Sequence, residues 1–253
     1  MQKRGTLLAV VTALSEEVEG VLKAGRFRRV RPEVWRGNLA GMPCVAAVLG
    51  IGKVRAAGRT QFVLDNYRPS IVLHIGTAGA TSPDLMAGDM VVGRRLAQHD
   101  FTISDSSRDR LSYPVWLETS EHLLNLALTS ARNVSLPRLR LGQIVTGDRP
   151  IMDPAERDAL RNNFNADCVD MESAAVAEIC ALHGVPCLVV RAVSDSCNAN
   201  TRQEFRSNIA SISQSLAVLA SAVAANLAGQ TGVATDLSAP EKTRTRGKAP
   251  RKH

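Results

Sequence analysis

Apolar positions along the chain form short continuous runs that alternate with segments of helical periodicity. The runs at 7–13, 71–75 and 187–193 predict strands that are buried on both faces. Further strands are predicted at 34–39, 44–49, 90–93 and 141–146. Helices are predicted after a capping Ser15 and at 53–66, 122–131, 154–162, 171–182 and 206–227. This alternation predicts an α/β fold with a mostly parallel sheet and helices on both of its faces.

Two segments lack any such periodicity. Residues 100–120 are irregular and polar, which predicts a long loop. From Gln230 onward the chain contains Gly, Pro, Ser and Thr and almost no large apolar residue, which predicts disorder. The expected division is therefore a catalytic domain over 1–229 and a basic disordered tail over 230–253.

Composition is compatible with one sizeable core. The chain has 253 residues, of which 45% are hydrophobic and only 4% aromatic, so the core must be built from Ala, Val, Leu and Ile. The net charge is +7, of which the tail carries +4. A basic tail can contact nucleic acid or an acidic surface, but a solvated terminus is the favoured interpretation, and we do not expect a nucleic-acid partner.

The number and surroundings of the cysteines indicate the cellular compartment of the protein. Five cysteines in mostly apolar surroundings, with no CxxC motif, predict reduced buried thiols in a cytoplasmic protein. The N-terminal apolar run follows Lys3-Arg4 as a signal peptide would. It meets Glu16, Glu17 and Glu19 instead of a cleavage site, so it is interpreted as a first strand. We expect no segment to span a membrane.

Familiar cofactor motifs are absent from the sequence. In Gly50-Ile51-Gly52 the third glycine of a dinucleotide fingerprint would fall on Arg55, and Lys53 is followed by Val54, which excludes a P-loop. The histidines have no metal-ligand spacing. We therefore expect neither a metal nor an organic cofactor.

Charged and Gly-rich segments follow several of the predicted strands. They are Glu16-Glu17, 76–80, Gly147-Asp148 and 191–195. Ligands bind beyond the carboxyl ends of parallel strands, so these segments are expected to meet at one site. Glu172 can accept hydrogen bonds from paired sugar hydroxyls, and Asp195 can protonate a leaving base. Structural alternatives are that Glu172 is a surface residue, that Asp195 caps a helix, and that 76–79 is only a tight turn.

Six motifs occur in one order along residues 5–225. They are Ala13-Leu-Ser-Glu-Glu17-Val, Gly50-Ile-Gly-Lys-Val54, Gly76-Thr-Ala-Gly79, Thr146-Gly-Asp148, Val169-Asp-Met-Glu172 and Arg191-Ala-Val-Ser-Asp195. Together they resemble the nucleoside phosphorylase/nucleosidase superfamily, and most closely the 5′-methylthioadenosine/S-adenosylhomocysteine nucleosidases. The resemblance implies a single-domain three-layer sandwich around a mixed sheet. It also implies a homodimer that cleaves the N-glycosidic bond of a purine nucleoside without a cofactor.

The same resemblance assigns roles to individual residues. Glu17 matches the carboxylate that activates the attacking water, Arg191 and Ser194 match residues around that water, and Asp195 matches the acid at purine N7. Met171 matches the residue under the ribose and Glu172 the carboxylate on its hydroxyls. Further substrate-binding positions are Ile51 near the 5′ substituent, Thr77 in place of a serine, and Ala78, Gly79, Asp148, Pro150 and Ile151.

One departure from the family pattern and the identity of the nucleophile leave alternatives open. Pro150 stands where nucleosidases have an aromatic residue that stacks on adenine, so stacking would come from elsewhere, such as Phe101 or Tyr113. Glu16-Glu17 would repel phosphate, which favours water as the nucleophile. The rival functions are a phosphate-dependent phosphorylase and a nucleoside-binding regulatory protein without turnover.

Overall fold

The computed structural model describes residues 6–101, 115–230 and 241–243. The strands are β1 Leu8–Thr12, β2 Arg26–Arg31, β3 Val34–Leu39, β4 Met42–Val48, β5 Ile71–Ala80, β6 Met90–Gln98, β7 Trp116–Glu118, β8 Leu139–Thr146, β9 Cys168–Asp170, β10 Cys187–Asp195 and β11 Glu241–Thr243. The helices are α1 Ser15–Ala24, α2 Lys53–Tyr67, α3 Glu121–Arg132, α4 Pro154–Phe164, α5 Ser173–Leu182 and α6 Thr201–Gln230.

The strands of the described residues form one mixed sheet. Its order is β11-β7-β6-β8-β9-β5-β1-β4-β3-β2, and β10 pairs with both β5 and β6. β1 is parallel to β4 and β5, and β10 is parallel to β5. The hairpin β2–β3–β4 is antiparallel and closes one margin of the sheet.

Helices cover both faces of this sheet. In β1, Ala9 and Val11 pack into a core shared with α2 and α5, whereas Leu8 and Val10 pack into a second core shared with α1, α3 and α6. This alternation follows from the two-residue period of a strand. The result is the mixed three-layer α/β sandwich that the sequence predicts.

Within residues 1–229, the sequence patterns did not predict three of the strands, β2, β7 and β9. Four arginines in the six residues of β2 obscure a strand pattern carried by Phe27 and Val30. Charged residues are common on edge strands because they oppose aggregation. β9 and β7 have only three residues each, too few for a periodic signal. β7 lies within the predicted loop at 100–120, of which 102–114 are outside the described residues.

One short strand falls within the predicted tail. Glu241–Thr243 forms β11, which pairs antiparallel with β7. Residues 231–240 and 244–253 lie outside the described part of the chain. The division into a domain over 1–229 and a tail over 230–253 therefore stays a prediction.

Helix α6 is longer than predicted, because it begins at Thr201 instead of residue 206. Its 30 residues are long and apolar enough to cross a bilayer by length and composition, which the sequence analysis did not expect of any segment. However, Ile212, Leu216, Leu219 and Val223 are buried against the sheet. This buried stripe is typical of the core helix of a globular domain.

Candidate active site

A cavity of about 430 Å³ opens beyond the carboxyl ends of β1, β5 and β10. This volume lies in the range typical of small-molecule sites, and its position is the one expected for a ligand on parallel strands. Most of the predicted site residues line it: Ile51, Thr77, Ala78, Gly79, Pro150, Ile151, Met171, Glu172, Ser194 and Asp195. Segments far apart in sequence are thus brought to one site.

Glu17 is buried directly behind this lining, at the start of α1. Its Oε2 accepts hydrogen bonds from the backbone N–H groups of Ala13 and Leu14, each at 3.0 Å. Its Oε1 accepts from the N–H and the hydroxyl of Thr77, each at 2.8 Å. Glu17 therefore joins the end of β1 to β5. Ser15 is the first residue of the helix and not its cap, since Leu14 occupies the capping position.

Arg191 is buried and held on two sides. Its Nε donates to Oδ2 of Asp170 at 2.5 Å, and its Nη2 donates to Nε2 of His74 at 2.8 Å. Burial alone would lower the pKa of Arg191, but the charges of Asp170, Glu172 and Glu17 raise it. Burial and the charge of Arg191 lower the pKa of His74 well below its usual value, so its imidazole is neutral and can accept this hydrogen bond.

The third nitrogen of Arg191 faces Glu17. Within the described residues, Nη1 of Arg191 has no hydrogen-bond partner although it is buried. A Cβ on Gly76 would stand 2.9 Å from this nitrogen and 3.1 Å from Oε1 of Glu17. A side chain at this position would press on both groups, so a glycine lets Arg191 and Glu17 lie close to the backbone of β5.

Glu172 lies in the turn before α5, so it occupies the capping position and not the helix that the sequence predicted. It is buried, and its Oε1 accepts from the N–H of Gly52 at 2.8 Å, which places Ile51 next to it. Burial, with the nearby charge of Asp170, raises the pKa of Glu172 to about 7, although Arg191 and the Gly52 N–H act in the opposite direction. This carboxyl group therefore keeps its proton to a higher pH than an exposed glutamate does.

Asp195 ends β10 on the other side of the cavity. Its Oδ2 accepts from the hydroxyl of Ser194 at 2.7 Å, and its Oδ1 accepts from Cys197 N–H and from the Thr201 hydroxyl at 3.1 Å. Residues 76–80 belong to β5, so they form a strand and not the turn that the sequence left open. A Cβ on Gly79 would stand 3.0 Å from Oδ1 of Asp195, which explains the glycine.

Some residues that the sequence analysis expected to contact the ligand do not line the cavity. Asp148 is not among the lining residues, because its Oδ1 accepts from the N–H of Lys53 at 2.7 Å and ties its turn to α2. Phe101 does not line the cavity, and Tyr113 is outside the described residues. Pro150 and Ile151 form an aliphatic wall beside Arg149.

Several site residues were missed in the sequence. Asp170 stands in the same motif as Glu172, and its bond to Arg191 depends on a contact between distant segments. Arg202 and Phe205 line the cavity together with Arg206, but they precede the predicted start of the last helix. Their helical spacing would have revealed them if that helix had been extended back to Thr201.

The described residues give little support for thiol or metal chemistry at the cavity. All five cysteines lie in the described part of the chain, where each is buried and free. Burial raises the pKa of Cys197, at the cavity wall, to about 12, which opposes a nucleophilic thiolate there. Across 6–101, 115–230 and 241–243, no group of three or more His, Cys, Asp or Glu residues is arranged to hold a metal ion.

Known proteins share this combination of fold and sequence. The model of the phosphorylase superfamily matches residues 7–225. An aminodeoxyfutalosine nucleosidase of Campylobacter jejuni is 31% identical over 78% of this chain and 89% of its own length. A 5′-methylthioadenosine/S-adenosylhomocysteine nucleosidase of Baumannia cicadellinicola is 31% identical over 85% of this chain and 97% of its own length.

A solved structure agrees with these relatives. The 5′-methylthioadenosine/S-adenosylhomocysteine nucleosidase of Neisseria meningitidis, in complex with methylthio-immucillin-A, superimposes with a TM-score of 0.80 at 26% identity. The match covers 87% of this chain and 99% of that structure. The mixed sandwich and its carboxylate-lined cavity define an enzyme of the N-glycosyl hydrolase class, as the sequence predicted. The chain belongs to the phosphorylase superfamily.

Proposed function

We propose that the protein hydrolyses the N-glycosidic bond of a purine nucleoside, specifically an adenosine modified at its 5′ position. Candidate substrates are 5′-methylthioadenosine and S-adenosylhomocysteine, after which related enzymes are named. The observation that carries this proposal is that Glu172 and Asp195, from distant segments, line one cavity, and that Glu17 lies directly behind its lining residue Thr77. Few reactions other than glycoside cleavage need acids both beside the sugar and beside its leaving group.

The ribose is proposed to lie between Met171 and Glu172. Both line the cavity, and an ionised Glu172 can accept two hydroxyl hydrogen bonds at once. Its negative charge also stabilises the positive charge that develops on the sugar as the bond to the base breaks. Ile51 lines the cavity next to Gly52, which contacts Glu172, and this position supports a role for Ile51 in binding the 5′ substituent.

Water is proposed to bind between Glu17 and Arg191. The unpartnered Nη1 of Arg191 can donate to the water oxygen, and Glu17 can accept its proton, since both groups lie beside Gly76. The bond from His74 to Arg191 fixes the guanidinium in this orientation. Holding the water near the anomeric carbon makes the attack effectively unimolecular.

Asp195 is proposed to protonate the purine as it leaves. Its carboxyl group lies at the end of β10 on the cavity wall, and Ser194, Cys197 and Thr201 orient it. In the protonated form, Asp195 gives its proton to N7 while the bond between the sugar and the base breaks. The departing base is then neutral, which lowers the barrier to cleavage.

Hydrolysis is favoured over phosphorolysis by local charge. Glu16 lines the cavity and Glu17 lies directly beneath it, so an anionic nucleophile would be repelled on this side. The relatives named above as nucleosidases support the same choice.

The proposal is tested with a panel of adenosine, inosine, methylthioadenosine and S-adenosylhomocysteine, each with and without phosphate. Free base and free sugar are quantified by chromatography. We expect base release from the 5′-modified adenosines without phosphate, and free ribose derivatives as the second product. Release that requires phosphate and yields a sugar phosphate would establish a phosphorylase. Tight binding without any release would establish a binding protein.

We also propose a homodimer in the cytoplasm. The dimer rests on the resemblance to the superfamily, and the compartment on five free, buried thiols, which suit a reducing environment. Sedimentation equilibrium and fractionation of cells that express the tagged protein test these two proposals.

A further inference from the structure

We infer that a second cavity, beside the catalytic acid, binds a phosphate group. This inference goes beyond the proposed hydrolysis and does not depend on it. The cavity has a volume of about 510 Å³ and lies between α4 and the turn that follows β5. This volume is in the range typical of small-molecule sites.

Two arginines of α4 form the basic side of this cavity. Arg157 and Arg161 line it, and their spacing of four residues places them on the same face of the helix. Like charges at this spacing destabilise a helix, and an anion between them removes the repulsion. Among the described residues that line the cavity, Asp158 is the one acidic residue. Two arginines against one aspartate leave a net charge of +1 in the lining.

The acidic neighbours of these arginines leave positive charge for a ligand. Asp158 pairs with Arg157 at 2.8 Å, but the side chain of Asp158 is 60% exposed, and exposed ion pairs contribute little. Asp167 lies 2.5 Å from Arg140 and 3.4 Å from Arg161, so one carboxylate serves two guanidinium groups. The guanidinium of Arg161 can therefore bind a further anion.

Ser82 adds an unused donor to the same cavity. It lines the cavity and is 2% exposed. Its backbone N–H donates to the carbonyl of Asp167 at 3.0 Å, which fixes its position. Its Oγ, although buried, has no hydrogen-bond partner in the part of the chain that the structure describes. An unsatisfied buried hydroxyl is destabilising, so a ligand that accepts its hydrogen bond gains affinity here.

These donors favour a phosphate group over a carboxylate. Guanidinium groups match the oxygens of a phosphate with paired hydrogen bonds. A phosphate monoester has three strong acceptor oxygens, enough for the hydroxyl of Ser82 as well, and it carries more negative charge than a carboxylate. Ala80, Pro83 and Leu85 also line the cavity and can contact the carbon skeleton of an ester.

The segment Asp195–Cys197 separates this cavity from the active site. Ser196 lines the second cavity, whereas Asp195 and Cys197 line the first. The carbonyl of Ser196 accepts from Nη1 of Arg157 at 3.5 Å. The N–H of the same peptide bond, on Cys197, donates to Asp195 at 3.1 Å. A substitution of Arg157 would therefore disturb the acid, so the test varies the other residues.

The test measures the binding of inorganic phosphate and of ribose 5-phosphate by calorimetry, with acetate as the control anion. We expect one or both phosphates to bind the unaltered protein at least about tenfold more tightly than acetate. Arg161→Gln should weaken this binding by about tenfold, because a charged donor is lost. Arg94→Gln, which removes the same charge from an arginine paired with Glu121, is the matched control and should leave the affinity unchanged. Comparison of the two phosphates shows whether the free ion or an ester is preferred.

Ser82→Ala separates a ligand-binding role from a structural role. Without phosphate, this variant should be at least as stable as the wild type, since it loses an unsatisfied buried hydroxyl. Its affinity for phosphate should be about threefold weaker, and saturating phosphate should raise its melting temperature by less. Thermal denaturation with and without phosphate measures both effects. A lower melting temperature without phosphate, together with unchanged affinity, would show that the hydroxyl has only a structural role.

Other outcomes overturn the inference separately from the proposed function. If neither phosphate binds, or if the affinity is the same in Arg161→Gln and Ser82→Ala as in the wild type, the phosphate site is contradicted while hydrolysis stands. If phosphate is required for base release and its affinity is unchanged in both variants, it binds in the active site, and both proposals fail. Weaker binding in both variants of a protein that releases no base would support the phosphate site and reject hydrolysis.

Discussion

At the scale of single residues, the site depends on the orientation of one buried guanidinium. Asp170 and His74 hold two nitrogens of Arg191, and the third is left beside Glu17. Asp170 is itself fixed by the hydroxyls of Thr146 and Ser173. A buried ion pair with additional hydrogen bonds is costly to break from one side, because the remaining charge loses its partner.

His74 is expected to act as a positioning residue. His74→Leu removes the acceptor for Nη2 of Arg191, and an unpaired buried donor costs about 1–3 kcal/mol. We expect a melting temperature lower by several degrees and a kcat that falls more than KM rises. Calorimetry and steady-state kinetics measure the two effects.

His74→Asn is the control, since its side-chain oxygen can accept the same hydrogen bond. We expect this variant to recover most of kcat. Equal kcat values in the Leu and Asn variants would show that the bond to Arg191 does not position the catalytic machinery.

Glu172 sets an expected pH dependence. Its pKa of about 7 lies above the usual value, so the ionised form that we propose accepts the ribose hydroxyls accumulates as pH rises through neutrality. We expect kcat/KM to rise between about pH 6 and 8 and this rise to be absent in Glu172→Gln. A pH–rate profile of the free enzyme measures it.

The same shift predicts the pH dependence of stability. Between the ordinary pKa and about 7, the folded protein binds more protons than the unfolded chain, so stability falls as pH rises through this window. Denaturant titrations of wild type and Glu172→Gln should diverge in favour of the variant as pH rises from about 4.5 to 7, and the offset should remain above pH 7. Parallel curves would contradict the raised pKa.

Asp195 is expected to dominate the departure of the base. Asp195→Asn keeps the contacts to Cys197 and Thr201 but cannot supply the proton, so kcat should fall by about 10²–10⁴. An unchanged circular dichroism spectrum and melting temperature would show that the fold is intact. Turnover near the wild-type value would remove Asp195 from the acid role.

At the scale of elements, β5 and β10 position most of the chemistry. They are parallel, with Arg191 opposite Gly76 and Asp195 opposite Gly79. Each glycine of β5 thus makes room for a functional side chain of β10. Small residues in this strand are therefore required by the site as much as by the packing of the sheet.

The variant Gly79→Ala tests whether the site requires a glycine at this position of β5. The added methyl group would press on Oδ1 of Asp195 and on the sulfur of Cys197, which belongs to a tight turn. We expect a loss of kcat of at least tenfold with little change in the content of secondary structure. Gly58→Ala, at a helical position with open space around it, is the matched control. Equal activity in both variants would contradict the requirement for glycine.

Much of the arrangement of strands, and the position of the site at their ends, could be predicted from the sequence. Long apolar runs identified β1, β5 and β10, since a strand buried on both faces needs no polar alternation. The ends of β1 and β10 predicted that Glu17 and Asp195 would lie at one site, whereas Glu172 follows β9, which was missed, and was identified from its motif. β2 and the three-residue strands were missed because pairing with neighbours, and not local pattern, defines them. The contacts of Asp170 and His74 with Arg191 were missed for the same reason.

At the scale of the whole molecule, the predicted division at residue 229 can be tested by truncation. Removing 230–253 deletes β11, a three-residue strand that pairs only with β7 among the described elements. We expect the truncated protein to keep its kcat/KM within about twofold and to lose little stability, since short edge pairing contributes little. A large loss of activity would show that the tail belongs to the catalytic unit.

The bond between Ser213 and Glu17, across 196 residues, joins the beginning of the fold to its final helix. Arg191 and Asp195 also come from the final quarter of the polypeptide. A ribosome must therefore release almost the entire protein before acid, water site and sugar pocket can come together. A nascent chain therefore cannot form the proposed site before α6 has emerged from the ribosome.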